Sequence, residues 1–77
     1  MNKPTWAINL KKARKAFKLT QKEVADRIYR SQQAYAGYES GEAQPDIDTW
    51  HKLCDLYRIV DLLRFLSDDN YFEKLAA

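Results

Sequence analysis

Among residue types that carry covalent, acid–base or metal chemistry near neutral pH, this sequence offers one histidine, His51, and one cysteine, Cys54. Structural zinc needs about four nitrogen or sulfur ligands, and a nucleophilic thiol needs a base within reach. The sequence brings no such set together. A phosphate-cradling loop needs clustered glycines, and only Gly37 and Gly41 are present. An enzyme is thus the weakest reading, with no cofactor, no metal and no small-molecule substrate expected. A single cysteine forms no internal disulfide, so Cys54 reads as a small buried hydrophobe in a reducing compartment. What remains is recognition by charge and hydrogen bonding. Residues 1–30 hold nine Lys and Arg against Glu23 and Asp26, a surplus of seven positive charges. Residues 31–77 hold four basic against nine acidic groups, a surplus of five negative ones. The basic half suits a polyanion and the acidic half avoids one.

These groups must be positioned by helices. Apolar residues recur at three- and four-residue steps, and no stretch alternates with period two. Seventy-seven residues make one domain, 45% hydrophobic with 13% aromatics, so the small core relies on large rings. Thr5 is expected to cap a first helix reaching about Phe17, with Ile8, Leu10, Ala13 and Phe17 on one side. Thr20 and Glu23 have the spacing of a capping box, opening a second helix that turns Val24, Ala25 and Ile28 inward. Ser31 caps a third helix, predicted over Gln32–Ser40 and closed at Gly41. Asp46 after Pro45 opens a fourth, with Ile47, Trp50, Leu53, Cys54 and Tyr57 inward and His51 on its surface. Asp61 caps a fifth carrying Leu62, Leu63, Phe65 and Leu66. The short link between the second and third helices implies a steep crossing, as in a helix-turn-helix unit.

At this point the stretch from Leu19 to Leu53 resembles the Cro/lambda-repressor-like (XRE) helix-turn-helix family. The matching positions are Leu19-Thr20-Gln21, Val24-Ala25, Ile28, Ser31, Tyr35, Tyr38-Glu39, Gly41, Pro45 and Ile47, and the likeness covers roughly residues 8–66. It implies an all-α, compact five-helix DNA-binding domain over residues 1–66, with helices 2 and 3 as the helix-turn-helix. Residues 67–77 are expected to form a C-terminal helical extension or tail.

The resemblance also assigns roles. In such units the start of the second motif helix meets base edges in the major groove, which places base readout on Ser31, Gln32, Gln33 and Gly37. A glutamine amide can pair bidentately with adenine N6 and N7, and Ser-Gln-Gln resembles the reading segment of some lambdoid phage repressors. Gln21, at a helix N-terminus that favours phosphate, is expected on the DNA backbone with Lys22, Ser40 and Gln44. Lys11, Lys15 and Lys18 read as a solvated helix face with a diffuse positive field. Arg14 and Glu39 resemble a family ion pair joining helix one to the end of helix three, worth within about 1 kcal/mol if partly exposed. Tyr35, Tyr38, Trp50 and Tyr57 are expected in the core rather than stacked on bases.

The chain also departs from the family pattern. Tyr29 stands where the turn usually has glycine, and a left-handed backbone there costs about 1–2 kcal/mol. Arg30 replaces an apolar turn residue. Gly37 inside the reading helix costs about 1 kcal/mol against alanine and removes a base contact. Glu42, Asp46 and Asp48 set negative charge near the DNA side, implying weaker binding by a monomer.

The small size resembles a phage Cro-like regulator, acting on a double-stranded operator in a bacterial cytoplasm. No apolar run approaches the roughly 20 residues of a membrane span, and the first ten residues lack a signal peptide's apolar stretch. The alternative is an antirepressor or antitoxin that grips a cognate repressor. Leu62, Phe65, Leu66, Tyr71 and Phe72 crowd the end of the chain, so an exposed apolar patch is expected there. Acidic Asp61, Asp68, Asp69 and Glu73 surround it, favouring weak homodimerisation or a basic partner.

Overall fold

A computed structural model describes residues 3–72. Five helices follow one another: α1 (Thr5–Ala16), α2 (Gln21–Arg27), α3 (Gln32–Ser40), α4 (Ile47–Tyr57) and α5 (Leu62–Ser67), with no strand among the described residues. The capping signals explain most boundaries. The Thr20 hydroxyl accepts from the Glu23 N–H at 3.1 Å while the Glu23 carboxylate accepts from the Thr20 N–H at 2.8 Å, a complete capping box. Ser31, Asp46 and Asp61 each accept from the backbone N–H three residues on. Gly41 ends α3 with φ +83°, and a Cβ there would lie 2.6 Å from Pro4 Cδ. Its lack of a side chain lets α3 end against the start of α1.

Helix α1 corrects an expectation. Pro4, not Thr5, is the N-cap, with no side-chain cap; the Pro4 carbonyl accepts from Ala7 and Ile8 instead. Proline cannot donate a hydrogen bond, so it suits the edge of a helix. Ile8 and Phe17 lie 38% and 40% exposed. The inner face is carried by Ala7, Asn9, Leu10 and Ala13.

Leu10, Val24, Ile28, Tyr35, Leu53, Tyr57 and Phe65 make the core. The Tyr35 and Tyr57 hydroxyls meet at 2.7 Å, and burial pushes both phenols well above their usual pKa. Trp6, Trp50, Phe65 and Tyr71 form a chain of edge-to-face rings linking α1, α4 and the segment after α5, the favoured geometry of aromatic pairs. Here Ile47 departs from expectation: it is 81% exposed, and Thr49, Leu53 and Tyr57 form the buried stripe of α4. Asp46 caps the helix so that its first residue points outward. Cys54 is half-buried.

The expected apolar patch is also corrected. Phe65 and Tyr71 are interior, at 0% and 1% exposure, and Phe72 packs on the core. Leu62 and Leu66 are half-buried and Leu63 is 78% exposed. The rings are drawn in because Asn9, fully buried on α1, donates to the carbonyls of Phe65 at 2.8 Å and Asp68 at 3.0 Å. That clamp folds the chain after α5 back onto α1, so the core extends past residue 66 to Tyr71. Glu73 and the rest of the tail lie outside the described residues. Among the described residues no helix is long and apolar enough to cross a membrane.

Candidate nucleic-acid interface

Helix α2 closes at Ile28, and α3 is capped by Ser31, leaving Tyr29 and Arg30 to make the turn. The Arg30 N–H donates to the Ala25 carbonyl at 3.0 Å, the six-to-one bond of a Schellman ending. That ending puts Tyr29 in the left-handed region, at φ +59°, where glycine is preferred and a tyrosine costs about 1–2 kcal/mol. Its ring is 80% exposed, beneath Lys52 Nζ at 5.5 Å.

Arg30 has a polar function in place of the usual apolar one. Its Nε and Nη2 donate to the buried Thr49 Oγ1 at 3.1 and 3.0 Å, and Nη2 also reaches Asp46 at 3.2 Å. The turn is thereby tied to the start of α4. The Thr49 hydroxyl and N–H, then the Arg30 charge, hold the Asp46 carboxyl below its usual pKa. Asp46 is thus ion-paired with Arg30, and Asp48 is matched by Lys52 at 3.0 Å, so two of the three acids expected near the DNA side have cationic partners. Thr49 was not among the residues expected inward. Its spacing of four and eight residues before Leu53 and Tyr57 was the signal that could have placed it there, and only the fold shows that it faces Arg30.

Beyond the turn, Ser31, Gln32 and Gln33 are all exposed. The Ser31 hydroxyl is occupied as the cap of Ala34, while the two amides point to solvent with donor and acceptor available. Gly37 is half-buried, and a Cβ there would meet the Ala43 methyl at 3.6 Å. It therefore abuts the loop after α3 rather than widening the open face beside Gln33.

The far end of α3 is fixed by charge. Arg14 Nε and Nη2 donate to the two Glu39 oxygens at 2.7 and 3.2 Å, and Arg14 Nη1 to the Leu19 carbonyl at 3.0 Å. Gln21 Nε2 adds a bond to Glu39 at 3.2 Å. Side-chain exposure is 14% for Arg14 and 4% for Glu39, so the carboxylate is buried while the guanidinium keeps an edge to solvent. Removing Arg14 would strand the buried carboxylate, at a cost of about 3 kcal/mol. Burial pushes the Glu39 carboxyl up, but hydrogen bonding, that of Arg14 foremost, outweighs it and holds the group below its usual pKa.

Of the expected backbone contacts, Lys22 and Gln44 are exposed and Gln21 and Ser40 half-buried. Lys22 sits 3.5 Å from Asp26. The Ser40 hydroxyl donates to the Gly37 carbonyl at 3.0 Å and accepts from the Glu42 N–H. Elsewhere, His51 is exposed, and burial, with the Asp55 charge, pushes the Cys54 thiol up. Among the described residues no group of three His, Cys, Asp or Glu is placed to hold a metal ion.

Comparison with known proteins fits this geometry. The helix-turn-helix family model matches residues 10–65. The chain is 39% identical over 70 residues to the uncharacterised HTH-type transcriptional regulator YqaE of Bacillus subtilis, covering 84% of this chain and 58% of that protein. It is 38% identical over 61 residues to YobD of the same organism, also an uncharacterised HTH-type transcriptional regulator, covering 78% and 54%. The chain thus spans little more than half the length of these relatives. A match over most of the sequence, with the capped turn and buried ion pair in place, establishes that the chain belongs to the helix-turn-helix family.

Proposed function

We propose that the chain is a sequence-specific double-stranded DNA-binding transcription regulator of the bacterial cytoplasm, similar in kind to a phage Cro-like switch protein. The observation that carries this reading is the pair of free amides on Gln32 and Gln33, at the start of a helix whose other end is locked by Arg14, Glu39 and Gln21. A rigidly held helix entering the major groove N-terminus first presents those amides to base edges, where Gln pairs with adenine. Gln21, Lys22, Ser40 and Gln44 hold the backbone on either side. Recovering bound duplexes from a randomised pool tests it. An enriched adenine-containing motif is expected, and an unenriched pool overturns sequence-specific reading.

A second reading is supported by the apolar groove between α4 and α5, formed by Ile47, Trp50, Cys54 and Leu62. Exposed Val60 and Leu63 belong to the same end of the chain. This surface suits a cognate repressor, which the chain would counter as an antirepressor, or a weak homodimer. Sedimentation equilibrium with and without that repressor separates them: self-association supports the dimer, a mixed species supports the antirepressor, and a monomer in both overturns the second reading.

A further inference from the structure

Five ion pairs occur among the described residues, and their cations are Arg14, Lys22, Arg30, Lys52 and Arg64. Apart from Arg14, the cations of α1 stand outside that pattern. Four lysines, Lys3, Lys11, Lys12 and Lys15, line a groove together with Ala7, Ile8 and Glu39. None of these four has a carboxylate within ion-pair distance among the described residues, and Lys12 reaches only the Asp69 carbonyl, at 3.2 Å. Ala7, Lys11 and Lys15 recur every four residues, so they share one helix face, and Ile8 lies exposed beside them. Unmatched like charges along one face repel one another, and a polyanion relieves that repulsion. The one carboxylate at the groove, Glu39, is already held by Arg14 and Gln21.

The surroundings of this face indicate which polyanion. Arg14, on the same helix, bonds the Leu19 carbonyl just before α2, and Glu39 bonds Gln21 at the start of α2. At the other side Gly41, which opens the loop carrying Gln44, packs on Pro4 and Ala7. The lysine face is thus continuous with both segments proposed to hold the DNA backbone. We propose that it is a second phosphate-binding strip, with Lys11 and Lys15 its main contacts, engaging the duplex beyond the stretch read by α3. This rests on the DNA-binding reading above. Phosphate contacts carry no sequence information, so the strip acts alike on any duplex that spans the molecule, whose longest dimension is 33 Å, one turn of DNA being about 34 Å.

The test uses the full chain and the doubly substituted Lys11→Gln, Lys15→Gln protein. Both positions are exposed and glutamine keeps helix propensity, so folding is retained, as melting would verify. Two duplexes of about two turns are used, one carrying the motif recovered by selection and one with that motif scrambled. Affinity is measured by fluorescence anisotropy at several salt concentrations. Each lost phosphate contact lowers the salt slope by about 0.9. The substituted protein is therefore expected to lose about 2 from the slope on both duplexes while keeping the wild-type preference for the motif. An unchanged slope, or a loss confined to the motif duplex, overturns the strip. A wild-type chain that binds neither duplex overturns the DNA reading itself, and the strip with it.

Discussion

At the C-terminal end of α3, Glu39 is 4% exposed and accepts three hydrogen bonds, two from Arg14 and one from Gln21. At its N-terminal end Gln32 and Gln33 are exposed, and the helix is secured by the Ser31 cap and by the Arg30 clamp on Thr49. Nine residues of one helix are thus divided between anchorage and display. Fixing an exposed recognition group requires burial elsewhere on the same rigid element, because a free amide alone does not hold its own position. Substitutions at the buried end should therefore cost stability first, and those at the open end should cost binding with little loss of fold.

The largest effect is expected at the anchored end. Glu39→Ala should lower unfolding free energy by about 3 kcal/mol, because it strands a mostly buried guanidinium. Urea denaturation measures this. The folded-state pKa of Glu39 lies below its ordinary value of 4.5, so its contribution is present above that pH and is lost as pH falls through the depressed value. The gap between wild type and Glu39→Ala should shrink below pH 4.5. A gap that stays constant down to acid unfolding would show that the carboxylate is not the anchor. Gly41→Ala follows, at about 2 kcal/mol, since it combines a left-handed backbone with a Cβ set 2.6 Å from Pro4.

At the displayed end the readout changes. Gln33→Ala should leave the melting temperature unchanged but weaken binding to the selected site by about 1–3 kcal/mol, relaxing preference at one base pair. An equal loss on every sequence would assign Gln33 to the backbone instead. Lys22→Ala should weaken binding uniformly and reduce the salt slope by about 1. Its ion pair with Asp26 is mostly exposed, so folding should change little. An unchanged slope would remove Lys22 from the phosphate contacts.

The same division sets what the sequence could tell. Local signals were legible: the Thr20–Glu23 box, the caps at Ser31, Asp46 and Asp61 and the glycine ending at Gly41 depend on residues within a few positions of one another. The Arg14–Glu39 pair was legible through resemblance, but its burial was not, because that depends on how α1 and α3 approach. Asn9 was missed altogether. A lone asparagine in a helix reads as surface, and its carbonyl partners are 56 and 59 residues away. The same clamp is why Phe65 and Tyr71 left the expected patch for the core. Ile47 and Ile8 erred the opposite way: hydrophobic character put them inside, but the register of each helix puts them out.

The smallest expected effect is at the turn leading into the displayed end. Tyr29 and Gly41 both have positive φ, at +59° and +83°, yet only one is glycine. Gly41 faces Pro4 and has no room for a side chain, whereas Tyr29 faces solvent at 80% exposure, so its only penalty is conformational. Replacing Tyr29 by glycine relieves about 1–2 kcal/mol of left-handed strain. Against that stand about 0.5–1 kcal/mol of added chain entropy in the unfolded state and about 0.5 kcal/mol for the exposed cation–π contact with Lys52. Tyr29→Gly should therefore change stability by no more than about 1 kcal/mol, with affinity for the selected duplex unchanged, since the Arg30 clamp still sets the turn. A Tyr29→Gly protein that melts at least as high but binds more weakly would show that the tyrosine ring itself takes part in DNA contact and that the displayed end begins before Ser31.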